Sequence, residues 1–180
     1  AAAMLTSLPT LDALLDAHAS QLGDDATGYR HHAYRVANFC WLLAPGDAET
    51  LQKLCIAVAF HDLGIWTAST FDYLPPSRTL ARNHLQAIGR PEWQDEVDAM
   101  IDHHHRIRRM PPDVIASVEM FRRADWIDVS RGSLRFGLPA GAVHAVKAAF
   151  PNAGFHRRLA ALTLERLCRH PCSPLPMMRW

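Results

Sequence analysis

Apolar residues recur three and four positions apart along most of the 180-residue chain, and this spacing is the strongest constraint on its fold. In the third predicted helix, for example, Leu51, Leu54 and Val58 lie on one face. No run of strict apolar and polar alternation is long enough to require a strand. The sequence therefore predicts an all-α fold, a single-domain bundle of about six to eight helices that spans residues 1–180.

Proline and glycine residues mark the turns between the predicted helices. Pro9, Pro91 and Pro112 are placed to begin helices, and Pro45-Gly46 is placed to end one. The stretch 64–76 reads as a long irregular loop rich in aromatic and hydroxyl side chains, and loops of that length tend to be functional. We predict helices at about 9–22, 28–44, 48–61, 77–88, 91–105, 112–129, 140–149 and 154–169.

Charge and hydropathy exclude several classes of partner. The formal net charge is +1, so the chain has no basic excess to attract the phosphate backbone of a nucleic acid. Apolar runs such as 54–60 are too short to cross a bilayer, and the start of the chain lacks the pattern of a signal peptide. We expect no nucleic-acid partner, no membrane association and a cytoplasmic location. The sequence predicts no particular oligomeric state.

Histidine and aspartate side chains occupy inward positions on five of the predicted helices. Burying an isolated carboxylate or imidazole is costly, so a cluster of them requires a compensating positive charge, which a metal ion supplies. Imidazole and carboxylate ligands suit Fe, Mn, Zn, Co or Ni better than Ca. The inward residues are His32, His61 with Asp62 beside it, His84, His104 and Asp125.

These residues and their neighbours resemble the motif of the HD superfamily, which consists of a distant His, an adjacent His-Asp pair and a downstream Asp. His32 stands in His-Ala-Tyr-Arg-Val, the pair His61-Asp62 in Phe-His-Asp-Leu-Gly, and Asp125 in Arg-Ala-Asp-Trp-Ile-Asp. The resemblance covers about residues 29–130. It implies an HD-like fold in which His32, His61, Asp62 and Asp125 bind a first metal and Asp62 can bridge to a second. Asp128, one turn after Asp125, is interpreted as a residue that supports a ligand or caps the helix.

Two-metal members of this superfamily carry further histidines between the pair and the last Asp. Their arrangement is similar to His84 and to the run His103 to His105. Helix phase favours His104, and the family's paired-His pattern would take His104 with His105. One metal and two metals both remain open. The Gly-Tyr-Pro signature of relatives that degrade cyclic dinucleotides is missing after this run, which argues against such a substrate.

The first functional hypothesis is hydrolysis of a small phosphate ester, a class that includes nucleotides, by metal-activated water. Imidazole and carboxylate ligands allow a metal to lower the pKa of coordinated water, and no separate nucleophile motif is present in the chain. Asp62 would orient the attacking water. The candidates for binding the phosphorylated substrate are Arg35, Trp66, Arg78, Arg122 and Lys147.

Two other classes of function are compatible with the same residues. Inositol and phosphonate oxygenases share the fold that the resemblance implies and hold two iron ions through six His and Asp ligands, so a di-iron oxygenase acting on a small polar substrate is the alternative. The third reading is a non-enzymatic module that binds a ligand or a partner, against which the intact motif argues. Metal content and oxygen consumption distinguish the three.

Overall fold

The computed structural model describes residues 2–178, and within that range it is helical with no strand. Two short 3-10 turns, Gly23–Asp25 and Pro91–Trp93, lead directly into helices. The helices, in chain order, are α1 (Pro9–Ala17), α2 (Ala19–Leu22), α3 (Ala26–Leu43), α4 (Ala48–Phe60), α5 (Gly64–Thr67), α6 (Leu74–Ala87), α7 (Gln94–His103), α8 (Ala116–Val129), α9 (Ala140–Ala149) and α10 (Phe155–Arg169).

The all-α prediction is confirmed, and each of the eight predicted segments contains one longer helix. Several boundaries differ, and the predicted segment 9–22 is divided at His18 into α1 and α2. α6 begins at Leu74 because Pro75 and Pro76 lie in its first turn, where the missing proline N–H is tolerated. α8 begins only at Ala116, since the residues after Pro112 form a turn. The predicted irregular stretch 64–76 is shorter than expected because it contains α5 and the start of α6.

The centre of the bundle lies between α3, α4, α7 and α8. α3 packs along α8, α4 packs against α1, α3 and α7, and α6 covers α7. Fully buried apolar side chains from several helices fill the space between them, including Val36, Ile56, Ile101 and Phe121. This packing brings the middle of α3 and α8 close to the ends of α4 and α7. Among the described helices, none is both long enough and apolar enough to span a lipid bilayer.

Candidate metal centre

Six of the predicted ligands come together where these four helices meet. His32 lies inside α3 and Asp125 inside α8. The adjacent pairs His61-Asp62 and His104-His105 directly follow the last residues of α4 and α7. A helix end allows two successive side chains to point to one side, because the chain turns there. The structure thus places one or two donors from each of four chain segments at a single point.

The first group consists of His32, His61, Asp62 and Asp125. The Nε2 atoms of His32 and His61 lie 2.9 Å apart. Asp62 Oδ2 lies 3.3 Å from the first of these nitrogens and 3.5 Å from the second, and Asp125 Oδ1 lies 3.7 Å from both. All four side chains are buried, with exposures of 0–3%. The structure therefore brings His32, His61 and Asp62 close enough to hold one common ion, with an Asp125 oxygen facing both histidines.

The second group consists of Asp62, His104 and His105. Asp62 Oδ1, the oxygen that does not face His32, lies 3.1 Å from His104 Nε2 and 4.0 Å from His105 Nε2. His105 Nδ1 lies 3.3 Å from Asp125 Oδ2. The two carboxylates consequently contact both groups.

The backbone hydrogen bonds of two histidines indicate which ring nitrogen faces the cluster. The Nδ1 atom of His61 lies 2.8 Å from the carbonyl oxygen of Val58, and that of His104 lies 2.6 Å from the carbonyl oxygen of Ile101. A carbonyl only accepts, so Nδ1 carries the proton in both rings and the neutral ring has its lone pair at Nε2. Such a hydrogen bond behind a ligand is the usual way in which proteins orient metal-binding histidines.

A buried ion pair performs the same function behind His32. Asp128 Oδ2 lies 2.7 Å from His32 Nδ1, and the same carboxylate accepts hydrogen bonds from Nε and Nη2 of Arg35. Burial favours a neutral carboxyl, but the hydrogen bonds from His32 and Arg35 outweigh it and hold the pKa of Asp128 well below its usual range. Asp128 thus contacts His32 in the way expected of a residue that supports a ligand. Arg35 was expected to bind substrate, but its guanidinium pairs with the Asp128 carboxylate, and its side chain is only 2% exposed.

The strongest indication that the cluster could hold a cation is Asp125. Within the described residues, neither of its buried carboxylate oxygens has a hydrogen-bond partner. Burial alone would raise its pKa, but nearby imidazoles, first His105, lower it. The pKa of Asp62 is likewise held well below its usual range, since the imidazoles of His61 and His104 outweigh the effect of burial.

An ionised, buried and unbonded carboxylate is costly unless a cation compensates it. These buried His and Asp groups could hold a metal ion. The mixture of imidazole nitrogen and carboxylate oxygen fits the expected metals Fe, Mn, Zn, Co or Ni.

His84 is not part of the cluster, which corrects the prediction that it would bind the second metal. Its half-buried ring lies 5.8 Å from the ring of Phe60. The inward stripe of α6 consists of Leu74, Ser77, Ala81 and Leu85. The neighbouring face of α6 carries the larger side chains Leu80, His84 and Ile88, which predicted that this face is buried. The structure buries the other face, because the smaller Ser77 and Ala81 allow closer packing.

A cavity of about 390 Å³ opens from the cluster. Asp62, Tyr73 and His105 line the end that contacts the cluster, which we call its inner end, and His156 and the exposed Arg131 also line the cavity. Tyr73 Oη lies 2.7 Å from His105 Nε2. Burial is the main cause that lowers the pKa of His105 to about 4, so this imidazole is neutral at pH 7. We call this space the apolar cavity, because most of its remaining lining is hydrocarbon.

None of the five predicted substrate-binding residues lines the apolar cavity. Trp66 donates from Nε1 to Asp25 and faces a neighbouring groove. The exposed Lys147 donates to the carbonyl oxygen of Arg131. The three arginines are paired with carboxylates: Arg35 with Asp128, Arg78 with Asp102, and Arg122 with Glu119.

Three residues that do line the apolar cavity were not singled out individually from the sequence. Tyr73 belongs to the aromatic loop that was expected to contact substrate, so its type and position were a usable signal. Arg131 and His156 lie beyond the HD-like segment and form no recognisable pattern with it. Only the packing of α10 over α3, where the rings of Phe155 and His32 stack at 4.1 Å, brings His156 to this place.

Comparisons with protein-family models, with curated proteins and with solved structures found no match to this chain. The likeness to the HD superfamily therefore depends on the motif residues and on the geometry of the cluster. A buried His and Asp cluster at the centre of a helical bundle is compatible with a site of that kind.

Proposed function

We propose that the chain is a metal-dependent phosphohydrolase that holds two divalent metal ions and cleaves a small phosphate ester. The observation that carries the proposal is the position of Asp62 between the two groups. Its Oδ2 atom faces His32 and His61, and its Oδ1 atom faces His104 and His105. A carboxylate so placed can be shared by two cations, and paired metal ions are a recurring device for phosphate ester hydrolysis. The resemblance of His32, His61, Asp62 and Asp125 to the HD motif supports the same reaction.

The protein residues would hold the reactants rather than attack the substrate. When bound, the metals supply Lewis acidity, which makes water a better nucleophile at neutral pH and withdraws charge from the phosphoryl group. Asp62 and Asp125 supply the negative charge that retains the cations, and the buried surroundings exclude bulk water. No nucleophilic side chain is required for this chemistry.

Tyr73 is placed to protonate the leaving group. Its hydroxyl lies at the inner end of the apolar cavity, 2.7 Å from His105 Nε2. Burial, together with the nearby Asp62 carboxylate, raises the pKa of Tyr73 well above its usual value, so the phenol keeps its proton at neutral pH. Breaking the P–O bond leaves an alkoxide oxygen that needs one proton, and Tyr73 Oη would supply it. The proton from the attacking water then restores the phenol through solvent.

A di-iron oxygenase is the alternative function. The two groups together contain six His and Asp side chains, the number that the resemblance implies for the oxygenase members. A largely apolar space beside them would also suit oxygen chemistry. The substrate and the reacting oxidant differ between the two functions, so direct assays separate them.

The test begins with elemental analysis of protein purified without chelators. We expect two metal ions per chain in the wild type, one after His104→Ala, and two after the matched control His84→Ala, because His84 lies outside the cluster. Asp62→Ala should lose both ions while its helix content by circular dichroism stays close to that of the wild type.

The loaded protein is then assayed against a panel of phosphate esters. Release of phosphate that disappears in Asp62→Ala supports the proposal. Two irons with oxygen uptake and no phosphate release would favour the oxygenase. Wild-type protein that binds no metal under these conditions would refute both and revive the non-enzymatic reading.

A further inference from the structure

We infer that the ester cleaved at this site carries an apolar alcohol moiety, such as an alkyl or arylalkyl group, which binds in the apolar cavity. The inference rests on the proposed function, since it specifies the class of phosphate ester. The cavity begins at Asp62 and His105 and has a volume of about 390 Å³. A group attached to a phosphoryl centre at Asp62 would therefore extend into it, and this volume is within the range of roughly 300–1,000 Å³ for small-molecule sites.

The walls of the apolar cavity come from three parts of the chain. The loop between α5 and α6 supplies one wall, α8 and α10 supply the second, and the segment after α10 supplies the third. Met177 in that last segment is only 4% exposed. The large apolar side chains in these walls are Phe71, Trp126, Leu159, Leu175, Met177 and Met178.

The donors of three polar wall residues, Trp126, Thr163 and His156, are already used within the protein. Trp126 Nε1 donates to the carbonyl oxygen of Arg106, so its ring rather than its N–H is available to a ligand. Thr163 Oγ1 donates to the carbonyl oxygen of Leu159. Both ring nitrogens of His156 have oxygen partners, at 2.6 Å and 2.9 Å. Apart from the exposed Arg131, these walls offer a ligand little hydrogen bonding beyond Asp62, Tyr73 and His105.

This lining disfavours a sugar or a nucleoside as the alcohol moiety. Each hydroxyl or base edge taken into the cavity would lose water without gaining a partner, and unpaired buried polar groups are penalised. An alkyl or arylalkyl group has no such requirement and gains from burial. The one Arg or Lys on the lining among the described residues, Arg131, is exposed, so it can attract an anionic ester before binding.

The experiment compares two primary-alkyl monoesters with similar leaving groups, 2-phenylethyl phosphate and ribose 5-phosphate, on metal-loaded protein. We expect kcat/KM to be about 10-fold or more higher for 2-phenylethyl phosphate, as is typical of discrimination by an apolar pocket. In Leu159→Asn, which places an amide on the cavity wall, this advantage should fall about 10-fold. The matched control is Leu162→Asn on the same helix, because Leu162 lines the neighbouring groove and should leave the preference unchanged.

A binding measurement separates failure of the inference from failure of the proposed function. Isothermal calorimetry with 2-phenylethylphosphonate and 3-hydroxypropylphosphonate, which cannot be hydrolysed, should show about 10-fold tighter binding of the first. Equal binding, or equal effects of Leu159→Asn and Leu162→Asn, would overturn the inference even if both esters are hydrolysed. Preferential binding without hydrolysis of any ester would overturn the proposed reaction and support the apolar site.

Discussion

The buried pair of Arg35 and Asp128 allows the support of the cluster to be tested separately from its ligands. Arg35 is 2% and Asp128 3% exposed, and the carboxylate holds both the guanidinium and the Nδ1 atom of His32. Asp128→Asn preserves the shape of the side chain but removes its charge. The guanidinium would then stay buried with neutral acceptors alone, namely the amide oxygen of the new side chain and the carbonyl oxygens of Phe150 and Pro151.

The expected loss of stability is large. Removing one partner of a buried ion pair costs about 3–5 kcal/mol. For a chain of this length each kcal/mol lowers Tm by about 2–4 °C, so metal-free Asp128→Asn should melt roughly 6–20 °C below the wild type when followed by circular dichroism. The variant should also bind metal about 10–100-fold more weakly, because His32 loses its charged support.

Two further variants make the result decisive. Asp102→Asn breaks an ion pair with Arg78 whose side chains are 19% and 28% exposed, and it should cost about 1 kcal/mol or less. Arg35→Met combined with Asp128→Asn removes the uncompensated charge, so Tm should largely recover while metal affinity stays low. An Asp128→Asn protein that melts no lower than Asp102→Asn would refute the reasoning.

Three other changes test the surroundings of the site. Burial raises the pKa of Glu119, but hydrogen bonds led by those of Arg122 outweigh it and lower the pKa to about 2. Glu119 thus stabilises the folded state above its ordinary pKa of 4.5 and loses that effect as the pH falls toward 2. The unfolding free energy of Glu119→Gln should therefore depend less steeply on pH in this window than that of the wild type. Equal slopes for the two proteins would contradict this. Gly64→Ala places a Cβ atom 2.5 Å from the carbonyl oxygen of Tyr73 and should lower the free energy of unfolding by about 1–3 kcal/mol. The Cβ atom of Gly141→Ala meets no atom within 4 Å, so this variant should not lower Tm. Equal melting temperatures of the two variants would be the contrary result. Tyr73→Phe should lower kcat about 100-fold for alkyl phosphates and far less for p-nitrophenyl phosphate, whose leaving group needs no proton, and equal losses would exclude Tyr73 as the donor.

The sequence was informative where a polar residue and its apolar neighbours shared one helical face. His32 lies in register with Val36 and Phe39, and His61 follows the buried residues of α4, so their inward direction could be read locally. His84 was misread because α6 has two adjacent apolar stripes, and the one with smaller side chains is buried. The periodicity of apolar residues alone does not show that smaller side chains allow closer packing.

The roles of the arginines could not be predicted for a different reason. Arg35 and its partner Asp128 are 93 positions apart, and neither has a local signal that identifies the other. In the sequence, an arginine near a motif histidine is equally compatible with binding substrate and with pairing to a buried carboxylate. Only the tertiary packing of α3 on α8 distinguishes them.

The assembly of the cluster from four separate chain segments links the folding equilibrium to the supply of metal. An ion held by the first group, His32, His61, Asp62 and Asp125, would cross-link segments that the unfolded chain separates, so unfolding would have to release it. By mass action, free metal at one hundred times its dissociation constant would add about 2.7 kcal/mol to the free energy of unfolding. Chelation would remove that increment and enlarge the unfolded fraction about 100-fold. In a cell, proteolysis of the unfolded chain would then make the abundance of this protein follow metal availability.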